Sequence, residues 1–458
     1  MSWVFPRSIA RLRSSAVKTR SRRSTSQLSL GSRKTRMLTV EENERATRIG
    51  PGTPCGKLFR RYWWPLCLST ELPEKDGAPL RVRLLGEDLI AFRDSSGAIG
   101  LIDAYCPHRR APLFFARNEE CGLRCVYHGW KFDRHGDCVD MPSEPAGTTL
   151  QAKVKILAYP TVEKGGVVWT YMGPKDLQPA EPDYEWTRAP ATHRYVSKTF
   201  ENCNYLQALE GGLDTTHSSF AHYNKLGDRA NLRQHDRAPQ LDVERTDYGY
   251  SYVSQRNVDE GKYVRVYHYV MPAQQLRASI IGYEGVRNKP ARLDGHIWAP
   301  IDDYTTHVYN IMCAPHPEDE LIPEAVEKRE VAAGRGEINN IPGTFRLKRN
   351  QSNDYLIDRQ KQKTQNFTGI DGVNTQDFAL QEGMGPICDR SKEFLGTSDK
   401  AIVAMRRILL EAIGVNEKGG TPRGVDPITY RNVRAYDRVV PSGQDWKTVM
   451  EKDLVALW

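Results

Sequence analysis

The segment "CPHRRAPLFFARNEECGLRCVYHGW" carries cysteine and histidine at spacings that suit a metal site. It begins with a Cys-x-His pair and ends with a Cys-x-x-His pair. The four candidate ligands are Cys106, His108, Cys125 and His128. Zinc accepts two thiolates and two imidazoles, but zinc sites usually join pairs of one residue type. Each pair here contains one cysteine and one histidine, so the pattern indicates a different metal group.

Mixed pairs fit a binuclear iron–sulfur cluster, in which both cysteines bind one iron and both histidines bind the other. Each loop then contacts both irons. This is the ligand pattern of a Rieske [2Fe–2S] cluster, whose histidine ligands raise its reduction potential. Cys121 is a less suitable ligand than Cys125 because no histidine follows it three residues later. His135 and Cys138 lie in the predicted turn "DRHGDC", and we expect both at the surface.

A second candidate metal site lies in the segment "ENCNYLQALEGGLDTTHSSFAH". We predict a helix over about residues 201–223, on which Asp214 and His217 would share one face. His217 and His222 would diverge by roughly 140° on an ideal helix. Both can bind one ion only if the helix ends, bends or contains a π-turn between them, an irregularity that often marks functional sites.

Two imidazoles and one carboxylate form the facial triad of Fe(II) oxygenases, which leaves positions open for O₂. The sequence therefore predicts a mononuclear Fe(II) site at His217 and His222. The carboxylate must come from a distant segment. From the residues alone, Asp377, Glu382 and Asp389 all remain candidates.

Several segments resemble the Rieske domain of non-haem iron aromatic-ring-hydroxylating oxygenases: "CPHRRAPL", "CVYHGWKFD", "CVDMPSEP" and "GGVVWTYMGP". They are similar in particular to the oxygenase (alpha) subunits of the phthalate dioxygenase-like group. Residues 372–403 resemble the late part of those subunits, where the aspartate of a Gln-Asp pair binds iron. The resemblance implies that Asp377, preceded by Gln376, is the third ligand. It covers about residues 40–222 and 367–412 and is weak between these two ranges.

The resemblance also implies an architecture and an assembly. We expect an α+β fold, with a small antiparallel β Rieske domain beside a helix-grip (START-like) α+β catalytic domain. The family forms head-to-tail trimers, so a homotrimer or a multiple of it is expected. Asp214 would then bridge the two metal sites, bonding His217 of its own chain and His128 of the partner subunit. Such a carboxylate fixes the tautomer and orientation of each ring.

These sites together predict an oxygenase that uses O₂ and two electrons per cycle. No GxGxxG motif follows a predicted strand, so a separate reductase must deliver the electrons from NAD(P)H. The resemblance implies that this partner is an NAD(P)H-dependent flavin and iron–sulfur reductase. The resemblance implies hydroxylation of an aromatic acid such as a phthalate- or benzoate-type substrate. O-demethylation of a methoxy-aromatic substrate is the alternative. A non-catalytic Rieske electron carrier is a third interpretation, against which the two histidines and Asp377 argue.

An anionic substrate would favour an arginine, because its planar guanidinium can hold a carboxylate through two hydrogen bonds. Arg237, Arg265 and Arg277 lie in the stretch where the resemblance is weak. Each of them taken singly is more often a surface or structural residue. The sequence therefore assigns no substrate-binding residue.

The composition is that of a water-soluble protein, with 39% apolar residues and a mean hydropathy of −0.60. We expect no membrane span and, from nine cysteines without a secreted framework, a reducing cytoplasm. The whole chain has a formal charge of +8, and residues 1–36 contain ten Lys or Arg and no acidic residue. The rest of the chain therefore has a formal charge of −2. Nucleic-acid binding is therefore not expected. Residues 1–36 are predicted to be a disordered leader or, preferably, an overlong start before Met37.

The remaining chain divides into three predicted regions. Residues 37–57 form a helical segment that stops at Gly50-Pro51-Gly52, and residues 58–173 form the cluster domain, with hairpins over 80–103. Prolines after residue 173 mark a stiff linker. Residues 183–458 form the catalytic domain, for which we predict the elements strand 262–272, strand 306–315 and helix 398–413, the helix with Ser398 or Asp399 near its N-cap.

Overall fold

The computed structural model describes residues 37–228, 231–279 and 292–458. The predictions for residues 1–36 lie outside these ranges. The described helices are α1 Val40–Thr47, α2 Pro54–Phe59, α3 Glu185–Arg188, α4 Tyr205–Leu213, α5 Leu232–His235, α6 Pro323–Ala332, α7 Arg359–Thr364, α8 Val373–Gly383, α9 Lys400–Glu417 and α10 Trp446–Met450.

The described strands form antiparallel sheets throughout. They are β1 Trp63–Leu68, β2 Leu80–Leu84, β3 Glu87–Arg93, β4 Ile99–Asp103, β5 Arg117–Glu119, β6 Gly122–Arg124, β7 Lys131–Asp133, β8 Cys138–Asp140, β9 Thr161–Lys164, β10 Val167–Tyr171, β11 Arg194–Glu201, β12 Gln240–Arg245, β13 Gly249–Val258, β14 Gly261–Val270, β15 Gln274–Ala278, β16 Leu293–Pro300, β17 Thr306–Cys313 and β18 Tyr436–Pro441.

The N-terminal segment contains the helix predicted before Gly50-Pro51-Gly52, as α1, and a second short helix, α2, after this break. Thr39 caps α1, and its hydroxyl accepts from the backbone of Glu42 while the Glu42 carboxylate accepts from the backbone of Thr39. This capping box satisfies amides that a helix start leaves unpaired. The α2 helix begins at Pro54, a residue well suited to a first helical turn.

Three small sheets follow, with strand orders β1-β10-β9, β2-β3-β4 and β5-β6-β7-β8. The hairpins predicted over residues 80–103 are confirmed as β2, β3 and β4. In the last of the three sheets, the loop between β6 and β7 carries the Cys-x-x-His pair. A separate hydrophobic cluster that includes Leu113, Leu123 and Phe132 packs beneath the two candidate cluster cysteines.

The larger sheet has the order β11-β17-β16-β15-β14-β13-β12, and β18 also pairs with β14. The predicted strands in this part are confirmed as β14 and β17, and the last long predicted helix as α9. Helix α4 lies against β16, where a Cβ on Gly212 would come within 2.2 Å of the Trp298 ring. Helix α9 is tied to β13 by the Tyr250 hydroxyl, which donates to the Ala401 carbonyl. Helices lying across one long antiparallel sheet confirm the predicted α+β class.

The helix predicted over residues 201–223 is wrong in its extent. Asn204 caps the start of α4 by accepting from the Leu206 amide, and the helix ends at Leu213 with Asp214 as its C-cap. The Asp214 carboxylate accepts from the Thr216 amide at 2.7 Å, and such local side-chain bonds compete with helix continuation. Asp214 and His217 therefore lie in a turn and do not share a helical face.

A buried ion cluster holds α4 against the segments that follow the candidate ligand helix α8. The Glu210 carboxylate accepts from Arg390 Nη2 at 2.9 Å and from Arg406 Nε at 2.6 Å. Burial would raise the pKa of Glu210, but the two guanidinium charges hold it below its usual value. Because buried charges are tolerated only when paired, this cluster fixes α4, and with it Asp214, in place.

Replacing Glu210 by glutamine would leave the fully buried Arg390 without its ion-pair partner, while Arg406 would keep Glu393. We expect the apparent free energy of unfolding to fall by about 3 kcal/mol, as when one partner of a buried ion pair is removed. Urea denaturation followed by circular dichroism measures this loss. The control is Glu411→Gln, since Glu411 forms an exposed pair with Arg245 and should change stability by at most about 0.5 kcal/mol. Equal effects of the two substitutions would contradict this account.

Candidate functional site

The four predicted cluster ligands come from two loops, one after β4 and one between β6 and β7. The His108 and His128 rings lie with their centroids 4.5 Å apart, and Trp130 stacks on His108 at 4.3 Å. Cys106 and Cys125 are both buried. Burial raises the pKa of the Cys106 thiol to about 11, and the neighbouring Cys125 contributes to that rise. The two loops therefore bring two thiols and two imidazoles together, as the sequence predicts.

Backbone hydrogen bonds close both loops around these side chains. The Arg110 amide donates to the Cys106 carbonyl and the Gly129 amide to the Cys125 carbonyl, each at 2.9 Å. Gly129 has a φ of +79°, which a residue with a Cβ rarely adopts. The Arg124 guanidinium donates to the Gly129 carbonyl at 2.8 Å and supports the second loop.

The donor set fits a binuclear cluster better than a single ion. His108 Nδ1 is buried without a hydrogen-bond partner among the described residues, as expected of a metal ligand atom. Among the described residues, His217, His222 and Asp377 form a group of three potential ligands whose atoms lie within 4.8 Å of one another. Within the part of the chain that the structure describes, no three of the cluster candidates form such a group, whereas the ligands of one tetrahedral zinc would.

The structure separates the cluster cysteines from the remaining cysteines nearby. Cys121 is exposed at a turn with a φ of +58°, and His135 is exposed as predicted. The predicted surface position of Cys138 is wrong, because its side chain is buried and its thiol donates to the Asp140 carbonyl at 3.5 Å. Cys138 begins the short strand β8, whose side chains alternate between core and solvent.

Three side chains of the larger domain converge on one point. The Nε2 atoms of His217 and His222 lie 3.1 Å apart. Asp377 Oδ1 lies 3.2 Å from Nε2 of His222 and 3.6 Å from Nε2 of His217. Two imidazole nitrogens and one carboxylate oxygen directed at a common point can hold a divalent metal ion, and this donor set suits Fe(II).

A tight turn solves the geometric problem posed by the spacing of the two histidines. His217 begins a short 3₁₀ turn, His217–Ser219. The amides of Phe220 and Ala221 both donate to the His217 carbonyl at 2.8 Å. This folds the chain back on itself, so that His222 returns to the side of His217. The helix had already ended at Leu213, before both histidines rather than between them.

Asp377 reaches the histidines from the first half of α8. Burial would raise its pKa, but the neighbouring His222 and His217, and then the charge of Arg277, hold the pKa of Asp377 below its usual value. Asp377 is therefore a carboxylate at neutral pH. The alternative carboxylates are used elsewhere: Glu382 accepts from the Asn202 amide and the Tyr355 hydroxyl, and Asp389 caps a turn at the surface.

Asp214 lies beside the convergence point but outside it. Its Oδ2 is 3.7 Å from Nδ1 of His217, longer than a hydrogen bond. Burial would raise the pKa of Asp214, but His217 and the amides of Thr216 and His217 outweigh that effect and lower it. The larger sheet also contacts this turn, because Arg256 Nη2 on β13 donates to the Thr215 carbonyl at 2.9 Å.

The three arginines considered from the sequence have different environments. Arg237 is exposed and lies over the rings of Phe220 and Tyr223. Arg265 is buried and donates to the Ala278 carbonyl. Arg277 is half-buried, and its Nε is buried without a hydrogen-bond partner among the described residues.

Sequence reasoning missed a polar inner face on the larger sheet. Large polar side chains alternate along its strands and face α4 and the metal-ligand candidates, and the alternation itself is the signal that could have revealed them. They include Tyr252, Arg256, Tyr267, Gln275, Arg277, His296 and Asn310.

Two known protein families together match most of the chain. The Rieske [2Fe-2S] domain family matches residues 62–160, and the family described as LigXa C-terminal domain like matches residues 170–456. The solved structure of Pseudomonas putida CBB5 NdmA covers 86% of this chain and all of its own, with a TM-score of 0.58. Its sequence identity of 19% means that it supports the fold alone.

Relatives with higher identity are oxygenase subunits. The phthalate 4,5-dioxygenase oxygenase subunit of Pseudomonas putida is 39% identical over 92% of this chain and 97% of its own. The 3-chlorobenzoate-3,4-dioxygenase oxygenase subunit of Comamonas testosteroni is 37% identical over 92% of this chain and its full length. The 5,5'-dehydrodivanillate O-demethylase oxygenase subunit of a Sphingobium strain is 32% identical over 85% of this chain and 84% of its own.

The fold, the two donor sets and these relatives define a Rieske non-haem iron oxygenase. Within that class, the chain belongs to the phthalate dioxygenase-like group of oxygenase (alpha) subunits. It is an oxidoreductase that incorporates molecular oxygen, and its cofactors are a Rieske [2Fe–2S] cluster and a mononuclear iron. An oxygenase subunit works with an electron donor, a reductase or ferredoxin. The third interpretation, a non-catalytic electron carrier, is therefore set aside.

One further property concerns membranes. Within residues 37–228, 231–279 and 292–458, no helix combines the length and the apolar character that crossing a bilayer requires.

The convergence geometry predicts that Asp377→Ala removes the mononuclear iron and leaves the cluster intact. The substitution takes away one of three ligand atoms at one site and touches none of the cysteines. Iron analysis together with the visible spectrum of the cluster measures both effects. Glu382→Gln is the control and should retain the mononuclear iron. Full iron occupancy in the Asp377 variant would contradict the assignment.

Proposed function

We propose that this oxygenase uses O₂ and reductase-delivered electrons to hydroxylate an aromatic acid of the phthalate or benzoate type. The observation that carries the proposal is Arg277, whose Nε is buried without a hydrogen-bond partner among the described residues and whose charge acts on the candidate iron ligand Asp377. The relatives named phthalate and 3-chlorobenzoate dioxygenase subunits support the same substrate class.

Arg277 lies on the side of the sheet that faces the metal-ligand candidates. Side chains two residues apart on a strand share a face, and Gln275 donates from that face to the Gly212 carbonyl of α4 at 2.6 Å. Arg277 is close enough for its charge to help lower the pKa of Asp377. Burial lowers the pKa of Arg277 itself, because its cationic form is poorly solvated there. The charge of Asp294, its cross-strand neighbour, opposes this shift, but Asp294 forms its ion pairs with Arg292 and Arg329. A substrate carboxylate would supply the hydrogen bond that Arg277 Nε lacks.

Neighbouring groups on the same face support an aromatic anion. Arg256 is fully buried, and no carboxylate of the described residues forms an ion pair with it. Tyr252 and Tyr267 stack at 4.6 Å and offer a flat aromatic wall. His296 is buried with an unpartnered Nδ1, and burial keeps its pKa well below the usual value, so it would act as a neutral polar group. An apolar wall with a few directed polar atoms is typical of small-molecule sites.

We assign the ligands as follows. Cys106 and Cys125 would hold one iron of the cluster and His108 and His128 the other, while the mononuclear iron would bind the ligand set His217, His222 and Asp377. When bound, the cluster supplies an electron and the mononuclear iron activates O₂. The protein's part is to orient the ligand rings, exclude water and hold the substrate ring over the iron.

We also propose the domain limits and the assembly stated from the sequence. Residues 37–57 would be the N-terminal helical segment, 58–173 the cluster domain and 183–458 the catalytic domain. The assembly would be a head-to-tail homotrimer or a multiple of it. An NAD(P)H-dependent flavin and iron–sulfur reductase would donate electrons. The nine cysteines are all free, which supports a reducing, cytoplasmic environment.

In this assembly Asp214 would link two chains. Its carboxylate is only partly buried, and Oδ2 makes no full hydrogen bond to His217. His128 is half-exposed at the tip of its loop. Both groups are thus available for a contact between His128 of the partner subunit and Asp214. The carboxylate would hold the two rings of the path from cluster to iron in a fixed orientation.

O-demethylation of a methoxy-aromatic acid is the second candidate, supported by the relative named 5,5'-dehydrodivanillate O-demethylase. The same ligands and the same arginine serve both reactions. The outcome depends on which carbon of the bound substrate faces the iron.

Incubation with a reductase, NADH and a panel of acids tests the function. We expect phthalates or benzoates to give a cis-dihydrodiol with stoichiometric O₂ uptake, and neutral esters of the same acids to give no product. Formaldehyde release from methoxybenzoates as the main coupled reaction would favour the second candidate. Turnover of neutral esters as fast as the acids would contradict the substrate class.

The variant Arg277→Met tests whether Arg277 binds the substrate carboxylate. Losing a charge-assisted hydrogen bond of about 1.5–3 kcal/mol should lower kcat/KM for the acid by about 10- to 100-fold. The change should fall mainly on KM, with iron content unchanged. Arg237→Met, which removes an exposed arginine, is the matched control and should leave kcat/KM unaltered. No difference between the two variants would remove Arg277 from the site.

Asp214→Asn tests the link between chains. We expect both metal centres to remain bound, because Asp214 is not a ligand, and substrate oxidation to be nearly abolished. Stopped-flow oxidation of the reduced cluster in the presence of substrate and O₂ measures the transfer step. Turnover close to the wild-type rate with the physiological reductant would show that the assignment is wrong.

A further inference from the structure

Gln376 contacts the candidate ligand His222 on the side away from the convergence point. Its Oε1 lies 2.9 Å from Nδ1 of His222. The Gln376 side chain is completely buried, and it directly precedes Asp377 on α8. One turn of one helix therefore contacts the metal-ligand set twice, through a carboxylate and through a neighbouring amide.

The orientation of the Gln376 amide is set by its other contacts. Its Nε2 donates to the Ile370 carbonyl at 2.9 Å and to Asn224 Oδ1 at 2.7 Å. A backbone carbonyl can only accept, so the NH₂ group must face Ile370 and Oε1 must face His222. An acceptor at this position requires a donor on the ring. His222 Nδ1 therefore carries the proton, and Nε2 is left with its lone pair directed at His217 and Asp377.

The second histidine has no comparable partner. Nδ1 of His217 is buried without a hydrogen bond among the described residues, and Asp214 Oδ2 stands 3.7 Å away. The two candidate ligands thus differ in how firmly their rings are held. His222 is fixed by a neutral amide that is itself fixed on both donors, while His217 can still adjust towards Asp214.

We propose that Gln376 is a positioning residue that locks the tautomer and ring orientation of His222 for metal binding. The inference rests on the proposed ligand set of His217, His222 and Asp377. Through Gln376, the packing of α8 and of the segment around Ile370 controls the position of His222 as well as that of Asp377. Groups that orient metal-bound histidines are typically worth about 10- to 100-fold in metal affinity.

Metal affinity provides the first test, on full-length protein stripped of its mononuclear iron but retaining the cluster. Anaerobic competition between the protein and a ferrous chelator gives the dissociation constant for Fe(II). We expect Gln376→Leu, which removes the acceptor, to weaken Fe(II) binding by about 10- to 100-fold. Gln376→Glu should recover most of the affinity, because a protonated carboxyl can donate to Ile370 and accept from His222.

Asn224→Ala is the matched control. Asn224 is exposed, and its removal takes one hydrogen bond from Gln376 while leaving Oε1 and the Ile370 contact in place. We expect less than a threefold change in Fe(II) affinity. A loss as large as that of Gln376→Leu, or no rescue by Gln376→Glu, would mean that the residue acts only through packing and would overturn the proposal.

The tautomer itself can be observed without turnover. In ¹⁵N-histidine-labelled wild-type protein loaded with Zn(II) at the mononuclear site, NMR should detect a slowly exchanging Nδ1 proton on His222. Gln376→Leu should make that proton exchange at least tenfold faster. An unprotonated Nδ1 on His222 in the wild type would refute the inference even if the leucine variant failed to fold. Failure of the wild type to bind Fe(II) at all would instead refute the ligand set and the proposed function.

Discussion

The structure depends on three ligand atoms meeting from two distant parts of the chain. Nε2 of His217 and His222 come within 3.1 Å of each other, and Asp377 Oδ1 approaches both. Such a cluster forms only if α4 stops before the first histidine and a tight turn carries the chain back to the second. The turn is stabilised in part by the Asp214 carboxylate, which accepts hydrogen bonds from backbone amides that a continuing helix would otherwise use.

Buried or half-buried arginines occur in two places, and their charged neighbours differ. Around Glu210, two guanidinium groups share one buried carboxylate, and Arg406 also pairs with Glu393, so the charges compensate one another and hold α4 in place. On the inner face of the sheet, Arg256 forms no ion pair among the described residues and donates to the Thr215 carbonyl. The Nε of Arg277 has no hydrogen-bond partner there, and its cross-strand neighbour Asp294 forms ion pairs with Arg292 and Arg329. Positive charge beside a metal-ligand set supports the proposal that the substrate is an anion.

The sequence was most informative where the chemistry is local. The Cys-x-His and Cys-x-x-His loops identify their ligands because each pair lies within one turn of chain, and the structure brings all four side chains together. The antiparallel strands also follow from alternation that a single sequence displays. The position of Asp377 does not follow from spacing, because it depends on how α8 packs against α4, and it required resemblance to known oxygenases.

Other features were beyond sequence reasoning for physical reasons. The helix over residues 201–223 was predicted too long because helical periodicity carries no information about a carboxylate that captures its own backbone at Asp214. Cys138 was misplaced because a three-residue strand gives too little pattern to distinguish core from surface. Gln376 was noticed only as the neighbour of a ligand, since its contact with His222 joins segments that are remote in sequence.

The most direct test of the central claim is the iron content and paramagnetic spectrum of anaerobically reconstituted protein. The account predicts three irons per chain, two in a cluster that gives a Rieske-type signal on reduction and one that gives a high-spin ferrous–nitrosyl signal with nitric oxide. Protein that holds only zinc, or that binds two irons and shows no nitrosyl signal, would contradict it.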